Sequence, residues 1–537
     1  MTLHGTSLIA GRPGRAGGKT YAARSPGSGA RLEPAFHEAS DEEVERAMSA
    51  AAEAFADFRE RSPEERARFL AAIADEIEAL GDTLIERTSA ETGLPAARIT
   101  MERGRTCGQL RLFAKVVREG SWVDARIDTA LPDREPLPRP DIRRMLKALG
   151  PVVVFGSSNF PLAFSTAGGD TASAFAAGCT VVVKAHRAHP GTGELVGGAI
   201  NRAAKKCGLP AGVFSMIHGG GSTVGVAMVR HPAAAAVGFT GSHAAGRALF
   251  DAAAARPHPI PVFAEMSSLN PVFLLPDAVG TRGAAIAEGL LGSFTLGVGQ
   301  FCTKPGLIFA LRGNVTDDFV AVLAKHVAAA PCGTMLTSDI RESFEANRSR
   351  VTSVGGVSPV AVASATAEPD RTEAQPSVAL TSARQFLTQP ELATEAFGPF
   401  TLLVVAEDMD QMIACARAMD GQLTATVHAT DADLATAGAL LAAAEQLAGR
   451  IIINGYPTGV EVCPSMNHGG PYPATTDVRY TSVGTAAMLR FARPVCYQNF
   501  ADDILPRELK DANPGRIQRL VNGELTRDPI QAPTLPP

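Results

Sequence analysis

The stretch "GVGQFCTKPG", residues 297–306, sets one cysteine between a glycine-rich approach and a Lys-Pro-Gly exit. A thiolate displayed on such a loop is a nucleophile, and small residues in front of it let two reactants come close. The bland alternative for Cys302 is a buried small hydrophobe, the commoner fate of an isolated cysteine. Two other groups could work with it. Glu265, in "FAEMSS", follows a short apolar segment. The sequence therefore predicts partial burial, which raises a carboxylate's pKa toward neutrality and suits it to take and return a proton. A strand-end glutamate satisfied by backbone donors fits the local sequence equally well. His468, in "NHGGPYP", is the third. With Cys302 it follows the Cys/His logic of thiol hydrolases; a lone histidine before Gly-Gly is more often a loop residue with a local hydrogen bond.

A phosphate-binding device is sought next. No GxGxxG fingerprint follows a strand. Instead "HGGGSTVG" (residues 218–225) and "GFTGSHAAG" supply glycines and a hydroxyl where helices begin. A helix opening near Ser242, after Gly241 and with Gly246 inside it, presents N–H groups and its dipole to a pyrophosphate. Each piece alone is more often a turn.

These groups need elements to hold them. Ser40 with Glu43 and Ser62 with Glu65 are capping boxes opening two amphipathic helices, the second with Pro63 at its first position. A third helix is predicted over about residues 97–118. Residues 129–140 are Pro-rich and read as an extended connector. Then short apolar strands ("GPVVVFGSSNFP", "CTVVVKAH", "VFSMIHG", "AAVGFTGS") alternate with helical stretches such as "GTGELVGGAINRAAKKCG". That alternation predicts a parallel sheet covered on both faces. A second αβ region runs roughly over 265–463; within it residues 351–380 read as irregular, and the tail from residue 526 reads as disordered or an exposed end.

Bulk properties bound the rest. A chain of 537 residues exceeds what one core serves, so two or three domains are expected. Fifty basic residues against 55 acidic ones give a formal charge of −5. That is no nucleic-acid footprint and no polybasic membrane patch. The eight cysteines have no CxxC and no regular spacing. This argues against a disulfide framework or a zinc site and for a reducing compartment. No apolar run qualifies as a membrane span. Residues 1–32 carry five basic residues (Arg12, Arg15, Lys19, Arg24, Arg31) and no acid, but their glycines and prolines read as a surface arm with turns. A cytoplasmic protein is expected.

Six motifs occur in order: "SSNFPLAFS" with Asn159, "VVKAH" with Lys184, "FTGSHAAG" with Gly241, Ser242 and Gly246, "AEMSSLNPVF" with Glu265, "GQFCTKPG" with Cys302, and "TEAFGPF" with Glu395 and Phe397. Together they resemble the aldehyde dehydrogenase superfamily over about residues 20–500. The resemblance implies that Cys302 adds to an aldehyde and forms a thiohemiacetal, which gives up hydride to a nicotinamide and becomes a thioester. It implies that the Asn159 side chain and the Cys302 N–H hold the oxyanion, and that Glu265 activates the hydrolytic water. Lys184 resembles the lysine at the adenosine ribose, and Glu395 the glutamate at the nicotinamide-side ribose. Without the pattern, Asn159 would be an ordinary turn residue, and Lys184 and Glu395 solvated or paired charges. Three residues after the lysine, where NAD-preferring members often carry a glutamate, "KAHR" places Arg187. Arginine pairs with a 2′-phosphate that a glutamate would repel. NADP⁺ is therefore expected over NAD⁺.

The segments "GVEVCPSMNHGGPYPATTDVRYTSVG" and "RFARPVCYQNF" look like the ketoglutarate-semialdehyde and NADP-linked fatty aldehyde dehydrogenase branch, in which a histidine near His468 is proposed to assist proton transfer. The expected reaction is oxidation of 2,5-dioxopentanoate to 2-oxoglutarate. A fatty or aromatic aldehyde is the runner-up, since Phe160, Phe164, Phe294 and Phe301 flank the motifs. A Cys/His thiol hydrolase or a silent family member is the reading from a different class. No metal is expected. The expected α/β architecture has a modified Rossmann cofactor domain (1–130 and 151–264), a catalytic α/β domain (265–470) and a small β oligomerisation element (131–150 and 471–500). Residues 501–537 form a C-terminal extension. A homodimer or homotetramer follows from exposed strands that need a partner.

Overall fold

The computed structural model describes residues 3–368 and 371–530. Valine-rich runs build the first sheet. Across it lie Val262–Glu265, Ala236–Thr240, Val152–Phe155, Val181–Lys184 and Phe214–Ile217, all parallel. Successive side chains point to opposite faces. Val152, Val154, Val181 and Val183 pack against the helices Pro63–Glu78, Ala96–Glu119, Gly169–Ala177 and Pro190–Lys206. Val153, Phe155, Val182 and Val237 pack against Asp41–Phe58 and His243–Ala254. Both faces are dry, which is why these strands read as unbroken apolar runs. Both capping boxes form, at Ser40 and Ser62. The arm expected at the N-terminus is instead structured: Leu8–Ile9 adds antiparallel to Phe214–Ile217, and Thr20–Arg24 pairs with Arg31–His37.

The second sheet runs Ser358–Val362, Ser377–Ser382, Phe400–Ala406, Leu307–Leu311, Val272–Leu274, Gln422–His428 and Ala448–Ile453. Only its first strand is antiparallel. The stretch read as irregular therefore supplies two strands. Its loop, with residues 369–370 outside the described ones, hides the alternation.

A small third sheet pairs Ala492–Gln498 with Ile142–Ala148. Its boundaries differ from the expectation in two ways. Arg126–Asp128 joins it, as does the extension, through Arg519–Val521 and Glu524–Thr526. The reason is burial: Leu505, Leu509 and Ile517 share an apolar cluster with Val123, Ile127 and Met145. Residues 471–491 precede this sheet, and those around 474–482 run along strand Val262–Glu265 beside the site described next. The last seven residues of the expected disordered tail, 531–537, lie outside the described ones. No described helix is long and apolar enough to cross a membrane.

Candidate active site

Cys302 sits on the loop that enters strand Leu307–Leu311. Gly297, Val298 and Gly299 just before it all have positive φ (56°, 58° and 68°). Glycine takes this conformation freely, whereas a β-branched valine does so at a cost of order 1–3 kcal/mol. A Cβ on Gly299 would run into the Gly398 carbonyl, so the glycine is what lets "FGPF" close over the loop. From below, the Asn270 Nδ2 donates to the Cys302 carbonyl (2.8 Å) and to the Lys304 carbonyl (3.1 Å). Asn270 is itself fully buried, at a φ of 49°. Lys304 donates its ammonium to the Ala396 (3.0 Å) and Phe400 (2.9 Å) carbonyls, and burial lowers its pKa to about 8.

Glu265 ends strand Val262–Glu265, at the carboxyl end of a parallel sheet where ligands bind. The expected burial is there, at 3% exposure, but its consequence is not. Burial does push the Glu265 pKa up. The His468 ring at 3.0 Å and the Ser482 hydroxyl at 2.6 Å outweigh it, and the carboxyl sits below its ordinary value. Glu265 is therefore an anion at neutral pH.

The same Nε2 of His468 lies 3.4 Å from the Cys302 sulfur. His468 does lie on a loop, but its ring makes no local bond; it is 1% exposed and bridges the Cys302 sulfur and the Glu265 carboxylate. Its Nδ1 is buried with no partner among the described residues. Burial, then the Glu265 charge, raise the Cys302 thiol well above its ordinary pKa, while Arg105 and Arg450 pull it down. The resting thiol is protonated, and the half-buried sulfur waits on a base.

Asn159 directs its Nδ2 to the Gln300 carbonyl at 2.9 Å, across to the cysteine loop. An amide nitrogen has two hydrogens, so one is left for an oxyanion. The Cys302 backbone N–H has no protein partner among the described residues. The loop carrying Asn159 is pinned from the third predicted helix, by a residue that sequence reasoning passed over. Glu102, 2% exposed, accepts from the Leu162 and Ala163 N–H groups (2.9 Å each) and pairs with Arg98 at 2.6 Å. Its spacing from Arg98 looks like an ordinary solvated i,i+4 pair; nothing in the local sequence marks it as buried.

A cleft of about 1880 Å³ leads to these groups. Asn159, Glu265 and Cys302 line it together with Lys184, Arg187, Gly241, Ser242, Glu395 and Phe397. Ser242 caps the helix His243–Ala254, accepting from the Ala245 N–H. Lys184, at the end of its strand, is buried, and its pKa falls to about 8 through burial and the neighbouring Arg187. Arg187 lies over the Tyr21 ring (4.8 Å) and 3.7 Å from Glu38. Burial raises the Glu395 carboxyl, against the Ser267 hydroxyl and Lys304. Gly246, expected among the cofactor residues, does not line the cleft. It packs the helix against the sheet, where a Cβ would stand 2.7 Å from the Met266 sulfur. The capped helix, the two cations and a cleft of this size fit a phosphate-bearing dinucleotide. Glu265, Cys302 and His468 also lie close enough to meet one metal ion, but their mutual hydrogen bonds already occupy the facing atoms.

Residues 15–475 match the model of the aldehyde dehydrogenase family. The chain is 52% identical over 527 residues to alpha-ketoglutaric semialdehyde dehydrogenase 2 of Azospirillum brasilense, covering 98% of this chain and 100% of that one. It is 47% identical to alpha-ketoglutaric semialdehyde dehydrogenase of Acinetobacter baylyi, over 92% and 93% of the two chains. Betaine aldehyde dehydrogenase of Staphylococcus aureus, solved in complex with NAD⁺, shares the fold with a TM-score of 0.78 at 20% identity, over 92% of this chain and 95% of that one. A match that spans cleft, nucleophile loop and carboxylate strand leaves one assignment: the chain belongs to the aldehyde dehydrogenase family and is an oxidoreductase acting on aldehydes.

Proposed function

We propose that the chain oxidises 2,5-dioxopentanoate to 2-oxoglutarate with NADP⁺, through a thiohemiacetal and a thioester on Cys302. The observation that carries this reading is the convergence of Cys302, Asn159 and Glu265 at one end of the cofactor cleft, in a chain about half identical to two alpha-ketoglutaric semialdehyde dehydrogenases. The bound nicotinamide supplies a hydride acceptor. The chain's residues do the rest. The Cys302 thiol gives its proton to solvent at the cleft, and the His468 Nε2–H, 3.4 Å from the sulfur and 3.0 Å from the Glu265 carboxylate, turns toward the thiolate that forms. The thiolate adds to the aldehyde carbon, and the new alkoxide meets the Asn159 Nδ2 and the Cys302 N–H. After hydride has left, Glu265 takes a proton from water as it attacks the thioester, which releases acid and thiol.

Arg187 at the cleft and the nearby Lys184 ammonium support NADP⁺, since a 2′-phosphate would replace the distant Glu38 as the guanidinium's anion. The hydrolase reading is disfavoured by the histidine. In a Cys/His/acid triad the acid holds Nδ1 and the nucleophile faces Nε2; here both meet Nε2. We also place the chain in the cytoplasm, where its eight unpaired cysteines would stay reduced. The free edge Ala492–Gln498 of the small sheet fits a homodimer or homotetramer. The test is reduced-cofactor absorbance with NADP⁺ or NAD⁺ and a panel of 2,5-dioxopentanoate, hexanal and benzaldehyde, with Cys302→Ala alongside. Turnover of 2,5-dioxopentanoate that disappears in the variant supports the reading; a preference for hexanal or benzaldehyde would overturn the substrate.

A further inference from the structure

Two arginines lie near enough to Cys302 for their charge to act on its thiol. Arg105 comes from helix Ala96–Glu119 and Arg450 from strand Ala448–Ile453. Neither lines the cleft. Both reach the same loop: Arg105 donates to the Val460 carbonyl (3.4 Å), and Arg450 to those of Gly459 (3.1 Å) and Pro457 (2.6 Å). The Arg105 guanidinium lies 5.2 Å over the Phe164 ring, whose neighbour at 6.5 Å is the His468 ring, which contacts the Cys302 sulfur.

Their bonding is incomplete. The Arg105 Nη1 and the Arg450 Nε are buried with no hydrogen-bond partner, and neither residue has an ion pair among the described residues. Arg66, Arg256 and Arg519 are also buried without an ion pair among the described residues; what sets Arg105 and Arg450 apart is that their charge reaches the Cys302 thiol. The charged groups around Arg105 are Glu102, Cys302, Arg98 and Glu461. Glu102 is already committed to Arg98 and two backbone N–H groups, and Glu461 is exposed. A cation drawn out of water without an anion is costly unless a ligand supplies one. Phe160, Phe164 and Phe301 wall the same side, with ring centres 5.4 and 5.0 Å apart. They make an apolar cluster beside a cation.

We propose that Arg105, with Arg450 behind the same loop, binds a carboxylate at the far end of the aldehyde substrate while its carbonyl carbon lies at Cys302. This rests on the substrate reading above and names the residues that enforce it. In a five-carbon semialdehyde, four carbon–carbon bonds separate the carbonyl from the carboxylate carbon, a span of about 5 Å. The rings pack against the methylenes, and the guanidinium's two outer N–H groups meet the two carboxylate oxygens. Long neutral aldehydes would leave that charge unmatched. The sequence motif "FPLAFS" together with Phe301 thus supplies the walls, and a helix residue 197 positions before the nucleophile supplies selectivity.

The test compares kcat/KM for 2,5-dioxopentanoate and for pentanal in the wild type, Arg105→Met, Arg105→Lys and Arg450→Met. Removing the Arg105 charge also raises the thiol pKa, which harms both aldehydes alike, so the ratio of the two constants is the readout. That ratio should fall about 10- to 150-fold in Arg105→Met, carried by KM, the loss expected for a charged hydrogen bond. Arg105→Lys should recover part of it. Equal losses for both aldehydes, or none, would overturn the proposal. A measurement independent of folding uses the wild type alone: glutarate should compete with pentanal and neutral glutaramide should not, and equal inhibition would also overturn it. If the wild type turns over 2,5-dioxopentanoate no better than pentanal while glutarate still competes selectively, the substrate reading fails and the carboxylate site stands.

Discussion

Replacing Glu265 by glutamine separates the two halves of the reaction. The swap keeps shape in a site with 3% exposure. It also strands no partner. The amide oxygen can keep the His468 contact, and the amide N–H₂ can face the Ser482 oxygen, whose hydrogen turns to the His468 carbonyl 3.1 Å away. Stability should therefore change by no more than about 1 kcal/mol, the worth of one neutral hydrogen bond. The chemistry should change far more. A general base contributes about 10²–10⁴-fold, so thioester hydrolysis and steady-state kcat should drop by that factor. Thiolate formation should move the other way, because the Glu265 charge is one of the causes that raise the Cys302 pKa. Rapid mixing should show one equivalent of reduced cofactor per site, then near-silence. The iodoacetamide reactivity of Cys302, followed against pH, should begin at lower pH than in the wild type. A variant with no burst and an unshifted alkylation profile would refute both roles at once.

Asn159→Ala removes one oxyanion donor, and kcat should fall about 10²–10³-fold with KM for aldehyde little changed; an unaltered kcat would assign the oxyanion elsewhere. Arg187→Glu should reverse the ratio of NADP⁺ to NAD⁺ efficiency, read from initial rates with each cofactor, and an unchanged ratio removes Arg187 from the 2′-phosphate site. His468→Gln should slow the burst and leave thioester hydrolysis in place, which single-turnover traces resolve. Lys304 gives a pH test. Its folded pKa of about 8 lies below its ordinary 10.5, so between those values the unfolded chain binds more protons. Stability relative to Lys304→Met should then be flat below about pH 8 and rise toward pH 10.5. A thermal-melt difference that does not change over this window would mean that the ammonium is not desolvated.

What could be read from the sequence and what could not differ by how local the cause is. Four of the five central strands were legible because each is an apolar run between turn residues, and both capping boxes because four residues define them. The candidate nucleophile stood out because display on a loop demands small neighbours, and the structure does put Cys302 on a loop at the cleft. The ionisation of Glu265 was not: burial, the local term, points up, and the partners that reverse it lie 203 and 217 positions away. Glu102 and Arg105 were invisible for a related reason. Charges on a helix at i,i+3 and i,i+4 spacing have the same pattern whether they face water or a neighbouring loop. Gly246 erred in the opposite direction, since a glycine needed for helix–sheet contact cannot be told locally from one that admits a phosphate. The small sheet was half seen, because its outer strands come from a segment whose few apolar residues only make sense against Val123 and Ile127.

The site also settles a conflict between its own groups. A carboxylate close enough to serve as base for water is close enough to hold the thiol protonated, and burial strengthens that repulsion. His468 eases it, because its Nε2–H lies within reach of both the carboxylate (3.0 Å) and the sulfur (3.4 Å). In the proposed reaction that hydrogen faces the thiolate as it forms. Once the sulfur is held in the thioester it carries no charge, and the opposition between the two groups is gone. Glu265 can then take a proton from water, so the group that hinders the first step would serve the second.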